Sequence, residues 1–265
     1  MKQLPNSIIW LLSLCLIHLT ATAELETGLG ATLVHIPHYL GSNEAEDYLL
    51  PVPYIRYRSE RLNIDRNLVQ TKLFQHGKWN IELSFGGAVA VDSDKSDARE
   101  GMDDLGFIGE MGPALQYHFR GNRSTDNALY LTMPIRGAVS TDFTQAEYRG
   151  YSFNPQLIWR RSYPLEGMLV RSQVSTGLRS ASSHMHDYIY GVDAEFANAD
   201  REAYRGKSGY GGFTFSYSSS IKFEKYIIAG FVRYGNISGA SFEDSPLVKQ
   251  NSNLMFGIAW AYLFN

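Results

Sequence analysis

WNIELSFGGAV, residues 79–89, alternates two kinds of side chain without interruption. Trp79, Ile81, Leu83, Phe85, Gly87 and Val89 fall on one face, and Asn80, Glu82, Ser84, Gly86 and Ala88 on the other. A period of two marks a strand whose faces meet different surroundings. The pattern recurs downstream, where Phe107, Gly109, Met111, Pro113, Leu115, Tyr117 and Phe119 oppose Ile108, Glu110, Gly112, Ala114, Gln116 and His118. Leu129, Leu131, Met133 and Ile135 oppose Tyr130, Thr132 and Arg136, and Phe153, Leu157 and Trp159 oppose Asn154, Gln156 and Arg160. Runs of 11–14 residues exceed the roughly 5–6 of an ordinary soluble strand and reach the roughly 9–11 that cross a bilayer at a tilt.

The second face decides between a soluble sandwich and a membrane barrel. It carries Glu110, Arg136, Arg160, Arg171, Gln173, Arg179 and Arg233. A packed sandwich core would not accept these groups unpaired, whereas a wet lumen does. The greasy face ends in aromatics, as interfacial girdles do. Composition fits, with 13% aromatics, 17 tyrosines and 24 glycines. No segment of residues 24–265 approaches the roughly 18 consecutive apolar residues of a spanning helix. The expected fold is all-β, an antiparallel transmembrane β-barrel forming one domain over residues 24–265.

The first 23 residues read as a cleavable signal peptide, with basic Lys2, an apolar stretch from Ile8 to Leu19 and the small-x-small site Ala21-Thr22-Ala23. The only cysteine, Cys15, lies inside that stretch, between Leu14 and Leu16 rather than the small residues of a lipoprotein site. The mature chain is therefore expected to have no thiol, disulfide or thiolate metal site. All 27 acidic residues but only 23 of the 24 basic ones follow the leader, leaving a formal charge of −4. Such a balance gives no electrostatic case for nucleic acid.

Connections set the topology. Short ones at His76-Gly77, Gly121 to Asp126, Pro164 to Gly167 and Phe223-Glu224 alternate with long ones near 92–105, 140–149, 182–208 and 239–252. In outer-membrane barrels short turns are periplasmic and long loops extracellular. With both termini periplasmic the strand number is even. Early strands near 26–37, 50–58, 61–66 and 68–75 make twelve; a bent single strand over 61–75 would break parity and point to ten.

The last strand sets Phe256, Ile258, Trp260, Tyr262 and Phe264 against Gly257, Ala259 and Ala261, with Asn265 following. It resembles the C-terminal signal of outer-membrane assembly. Three further stretches, GLGATLVHIPHYLGS (28–42) leading into LPVPYIRYRS (50–59), AYRGKSGYGG (203–212) and SFEDSPLVKQ (241–250), resemble the MipA/OmpV family of MltA-interacting proteins. The resemblance spans nearly the whole mature chain. It implies an outer-membrane barrel, in some members a scaffold for a lytic murein transglycosylase and a bifunctional penicillin-binding protein. Other members are porin-like or adhesive. The motif residues also have structural readings: Gly28, Gly30 and Gly41 suit bending and close approach, Pro51 and Pro53 a strand start or edge, and Asp244-Ser245-Pro246 a turn.

Three constellations invite chemistry. Ser182-Ser183-His184-Met185-His186-Asp187 contains the residue types of a barrel lipid hydrolase. Neighbours on one loop do not hold a nucleophile, base and orienting group in line, so no catalytic site is assigned there. His184, His186 and Asp187 are also metal-ligand types, yet the run reads better as a polar extracellular loop. Asp92, Asp94, Asp97, Asp103 and Asp104 invite a calcium reading, but an EF-hand needs glycine at the sixth position, where Asp97 stands. This loop is expected to be solvated, within reach of divalent cations bridging lipopolysaccharide. No cofactor is expected.

The sequence thus points to a non-enzymatic scaffold or envelope-maintenance protein of the outer membrane, a narrow pore or adhesin being the alternative and a lipid hydrolase less favoured. Folding the chain about residue 123 sets Glu110 opposite Arg136 as an inward ion pair. N-terminal sequencing of exported protein should begin at Glu24; a chain starting at Met1, or lipid on Cys15, would refute the leader assignment.

Overall fold

Long alternating strands are held by pairing their backbone edges, and here the order of paired neighbours closes on itself. The computed structural model describes residues 24–58, 62–65, 68–122 and 125–264, so the leader expected over 1–23 lies outside the described residues. The strands are β1 (Glu24–Pro37), β2 (Ala45–Arg58), β3 (Leu62–Asp65), β4 (Leu68–His76), β5 (Trp79–Ala88), β6 (Phe107–Arg120) and β7 (Asn127–Thr141). They continue as β8 (Ala146–Phe153), β9 (Gln156–Leu165), β10 (Met168–Ala181), β11 (Gly209–Phe223), β12 (Tyr226–Asn236) and β13 (Ser252–Leu263). Each pairs antiparallel with its neighbours, β10 pairs with β11, and β13 returns to β1 through Gly28↔Leu263 to His35↔Phe256. The sheet is a closed barrel.

The thirteen segments fill twelve wall positions, because β8 and β9 lie end to end. Both face β7, β8 along Ile135–Thr141 and β9 along Asn127–Thr132, and both face β10. Asn154-Pro155 interrupts this one crossing, since proline cannot donate to the ladder. The expected twelve strands stand. The expected long loop at 140–149 shrinks to residues 142–145. Asp142 makes this possible: its Oδ1 accepts from the backbone N–H groups of Thr144 and Gln145, a tight turn where a loop was expected. In the early region β2 begins at Ala45 rather than near 50.

The outer face is apolar. Phe107, Met111, Leu115 and Phe119 of β6 and Leu254, Phe256, Ile258 and Trp260 of β13 are exposed, and this belt is what bilayer hydrocarbon requires. The opposite parity, Ala114, Gln116 and His118 of β6 among it, is buried in the lumen.

Glycine lets adjacent strands approach. A Cβ at Gly112 would lie 2.0 Å from the Ile135 carbonyl oxygen, whereas one at outward-facing Gly109 would meet nothing within 4 Å. Gly112→Ala should cost about 1–3 kcal/mol through strand displacement, read as a lower urea midpoint in detergent. Gly109→Ala should leave the midpoint unchanged, and equal effects would contradict the wall packing described here.

Candidate functional site in the plugged lumen

The long loops do not hang free; they fold inward and build the largest hydrophobic core of the described chain. Tyr39, Val91, Leu105, Tyr190, Val192, Ile237, Phe242 and Leu247 pack together from four separate connections. Tyr190 and Phe242 stack at 3.7 Å and 9°. Helix α1 (Ser183–Tyr190) carries Tyr190 and starts at Ser182, whose side chain accepts from Met185 N–H as an N-cap. Burial among these rings pushes the Tyr39 hydroxyl up to about 12, and it donates to the Leu247 carbonyl at 2.9 Å. Arg201 locks the outer rim, donating to the carbonyls of Ala98, Glu100 and Phe196. The result is a plug across the long-loop end of the barrel.

The run from Ser182 to Asp187 belongs to this plug. Ser182 is spent on capping and on the Tyr151 N–H. Burial holds the His186 imidazole below its ordinary range. Its Nδ1 lies 2.7 Å from the Lys207 carbonyl and 3.2 Å from Ser241 Oγ. A carbonyl only accepts, so Nδ1 carries the proton and cannot act as base toward Ser241. Asp187 accepts from Gly206 N–H at 2.7 Å and pairs with Arg205 at 3.3 Å. His184 is exposed on a cavity of about 400 Å³ at the plug's edge, also lined by Arg99, Arg149, Glu147 and Arg205.

The acidic loop is likewise structural. Asp92 accepts from Asp94 N–H, Asp104 from Ser93 N–H, and Lys95 reaches Glu46 at 3.2 Å. Among the described residues no group of three or more histidine, cysteine, aspartate or glutamate side chains is placed to hold a metal ion.

Below the plug the structure brings Glu110 and Arg136 together, Oε2 to Nη1 at 3.7 Å. Their strands are not in the register expected. Glu110 faces Ala138 rather than Arg136: Arg120 already pairs with Leu129, three residues off the simple fold-back, and the bulge between His118 and Arg120 takes one back, leaving a slide of two. A two-residue slide keeps parity, so both side chains stay inward and meet diagonally. Gly86, opposite Glu110 on β5, leaves room for them: a Cβ there would lie 3.1 Å from Arg136 Nη1. Ser152 donates to Glu110 at 2.6 Å, and Arg136 donates to Ser84 at 2.7 Å. Arg179 points into the same part of the lumen, close enough for its charge to act on both Arg136 and Arg233.

Sequence reading missed a second lumen contact. Lys222 of β11 reaches Glu26 of β1, three wall positions away, and Tyr54 donates to the same carboxylate at 3.4 Å. Inward parity was the available signal, but parity does not tell which strands face each other across a barrel.

The family model for MltA-interacting protein MipA matches residues 29–264, which spans the barrel from β1 to β13. The chain belongs to the MipA family. No curated protein matches it. Among solved structures it is similar to Pseudomonas aeruginosa OccK2 (OpdF), at 11% identity and a TM-score of 0.22, over 80% of this chain. The chain spans 65% of that protein's length, and a likeness this distant carries no argument. For this MipA-family barrel, Glu110→Gln and Arg136→Gln should be non-additive by about 0.5–3 kcal/mol in urea unfolding; strict additivity would mean each is solvated separately.

Proposed function

We propose that this protein is a non-enzymatic outer-membrane barrel of a Gram-negative cell that works as an envelope scaffold. The observation that carries the reading is the plug: a lumen closed at its extracellular mouth by packed rings is built for rigidity rather than flow. The family's name, MltA-interacting protein, supports a lytic murein transglycosylase as partner, with a penicillin-binding protein as a second. On this reading the short turns at Gly77-Lys78, Glu166-Gly167 and Glu224-Lys225 face the periplasm and offer the docking surface. Lipopolysaccharide is the expected neighbour of the loops. The apolar belt and closed ladder support bilayer residence, since every backbone group in hydrocarbon needs a partner.

The alternative reading is a narrow channel, favoured by the inward cluster of Arg136, Arg179 and Arg233, which would suit anions. Two measurements separate them. Crosslinking in intact envelopes followed by pull-down should recover murein enzymes. In planar bilayers the wild type should be silent, while Tyr190→Ala with Phe242→Ala should open steady conductance by loosening the plug. Wild-type conductance without murein partners would overturn the scaffold in favour of the channel.

A further inference from the structure

Three arginines share the chamber beneath the plug. Arg136 stands on β7, Arg179 on β10 and Arg233 on β12, each on the lumen parity of its strand. The register joins them. Ala181, the next inward residue of β10 after Arg179, pairs with Ser152 of β8, and Ser152 pairs with Arg136. On the other flank Arg179 faces Gly212 of β11, and Arg233 faces Ser216 farther along the same face of that strand. The wall between them carries Gly177, Thr214 and Gly235 in one row, so it sets no long side chain between the two guanidiniums. The plug is the ceiling: a Cβ at Gly211, next to Gly212, would lie 3.1 Å from His186 Nε2.

The three differ in what they already hold. Arg136 donates to Ser84 at 2.7 Å and lies 3.7 Å from Glu110. Arg233 gives its Nε to Ser216 at 3.3 Å, and its terminal nitrogens bond no described residue. Arg179 makes neither a hydrogen bond nor an ion pair with any described residue. Its charge nonetheless acts on Arg136, Arg233 and the plug residues His186 and Tyr190. A guanidinium stays charged and presents five donors, and like charges held together in a narrow lumen repel. Arg179 is half-buried and Arg233 exposed to the lumen, so a small ion can reach both.

The geometry points to a binding site for a small tetrahedral oxyanion, phosphate or a phosphomonoester, centred on Arg179 and flanked by Arg233 and Arg136 between the wall and the plug. Donors arriving from three strands suit an ion whose oxygens point in several directions, and the guanidinium fork matches phosphate oxygens. Bound there, the anion removes the mutual repulsion of the arginines and ties β10 and β12 to β7. The site goes beyond the scaffold reading and does not depend on it, since it needs only the inward parity and the plug.

Urea unfolding of the detergent-folded barrel in sodium phosphate and in sodium chloride at equal ionic strength tests the site. The wild-type midpoint should be higher in phosphate, because a ligand of the folded state alone stabilises it. Arg179→Gln should lose at least half of that rise, and in chloride it should unfold at or above the wild-type midpoint, since it removes a repelled charge and no bond. Arg233→Gln, which leaves Glu110 and Arg136 in place, should lose part of the rise as well. Phosphorus NMR should show the phosphate line broadened by wild type and sharp again with Arg179→Gln. A larger rise with glycerol 3-phosphate would mark a phosphomonoester as the occupant, and a smaller one the free ion. An equal rise in wild type and both variants would overturn the site, because phosphate strengthens burial in any protein by exclusion from its surface. A lower midpoint of Arg179→Gln in chloride would overturn it too, by showing that Arg179 serves the fold through the chain itself.

Discussion

Backbone hydrogen bonding in hydrocarbon is the constraint on which the rest depends. An unpaired N–H or C=O there costs several kcal/mol, since water cannot reach it. A sheet of twelve wall positions meets that demand by closing β13 onto β1. Closure explains why the C-terminal strand carries so regular an alternation: Phe256, Ile258 and Trp260 must face lipid while Gly257, Ala259 and Ala261 let β1 approach. A Cβ at Gly30 would lie 2.1 Å from the Trp260 carbonyl oxygen, so the seam admits only glycine at this point without rearrangement.

Closure creates a lumen, and the lumen then has to be filled or wetted. The lower part is crossed by Glu26 and Lys222, the middle by Glu110 and Arg136, and the top by an aromatic core assembled from loops. These solutions differ physically. Ion pairs tolerate water and hold strands at a fixed spacing, whereas the Tyr190–Phe242 stack excludes it. A lumen built this way resists flow and keeps the short turns at the opposite end in fixed relative positions, which is what the proposed scaffold role needs.

Strand parity was legible because lipid and lumen impose opposite demands on successive residues, so the faces of β5, β6, β7 and β13 follow from residues 79–89 and their repeats. Parity does not encode register, and the β6–β7 pairing lies two residues from the simple fold-back because neither where the chain turns nor the bulge near Phe119 leaves a periodic trace. The plug was not legible. Val91, Leu105, Val192 and Leu247 are scattered over loops with no period, and only the folded chain brings them together. Ser182 and His186 looked chemical for the same reason: a helix N-cap and a buried imidazole use the residue types of a catalytic site. The Glu110–Arg136 contact lies between these cases, with inward direction readable and the diagonal geometry not.

Hydrogen exchange on the barrel in lipid nanodiscs tests the closed ladder most directly. Residues 28–35 and 256–263 should exchange as slowly as the β6–β7 pair, since closure makes them interior strands rather than edges. Rapid exchange in both segments, with β6 and β7 still protected, would show an open sheet and contradict the account.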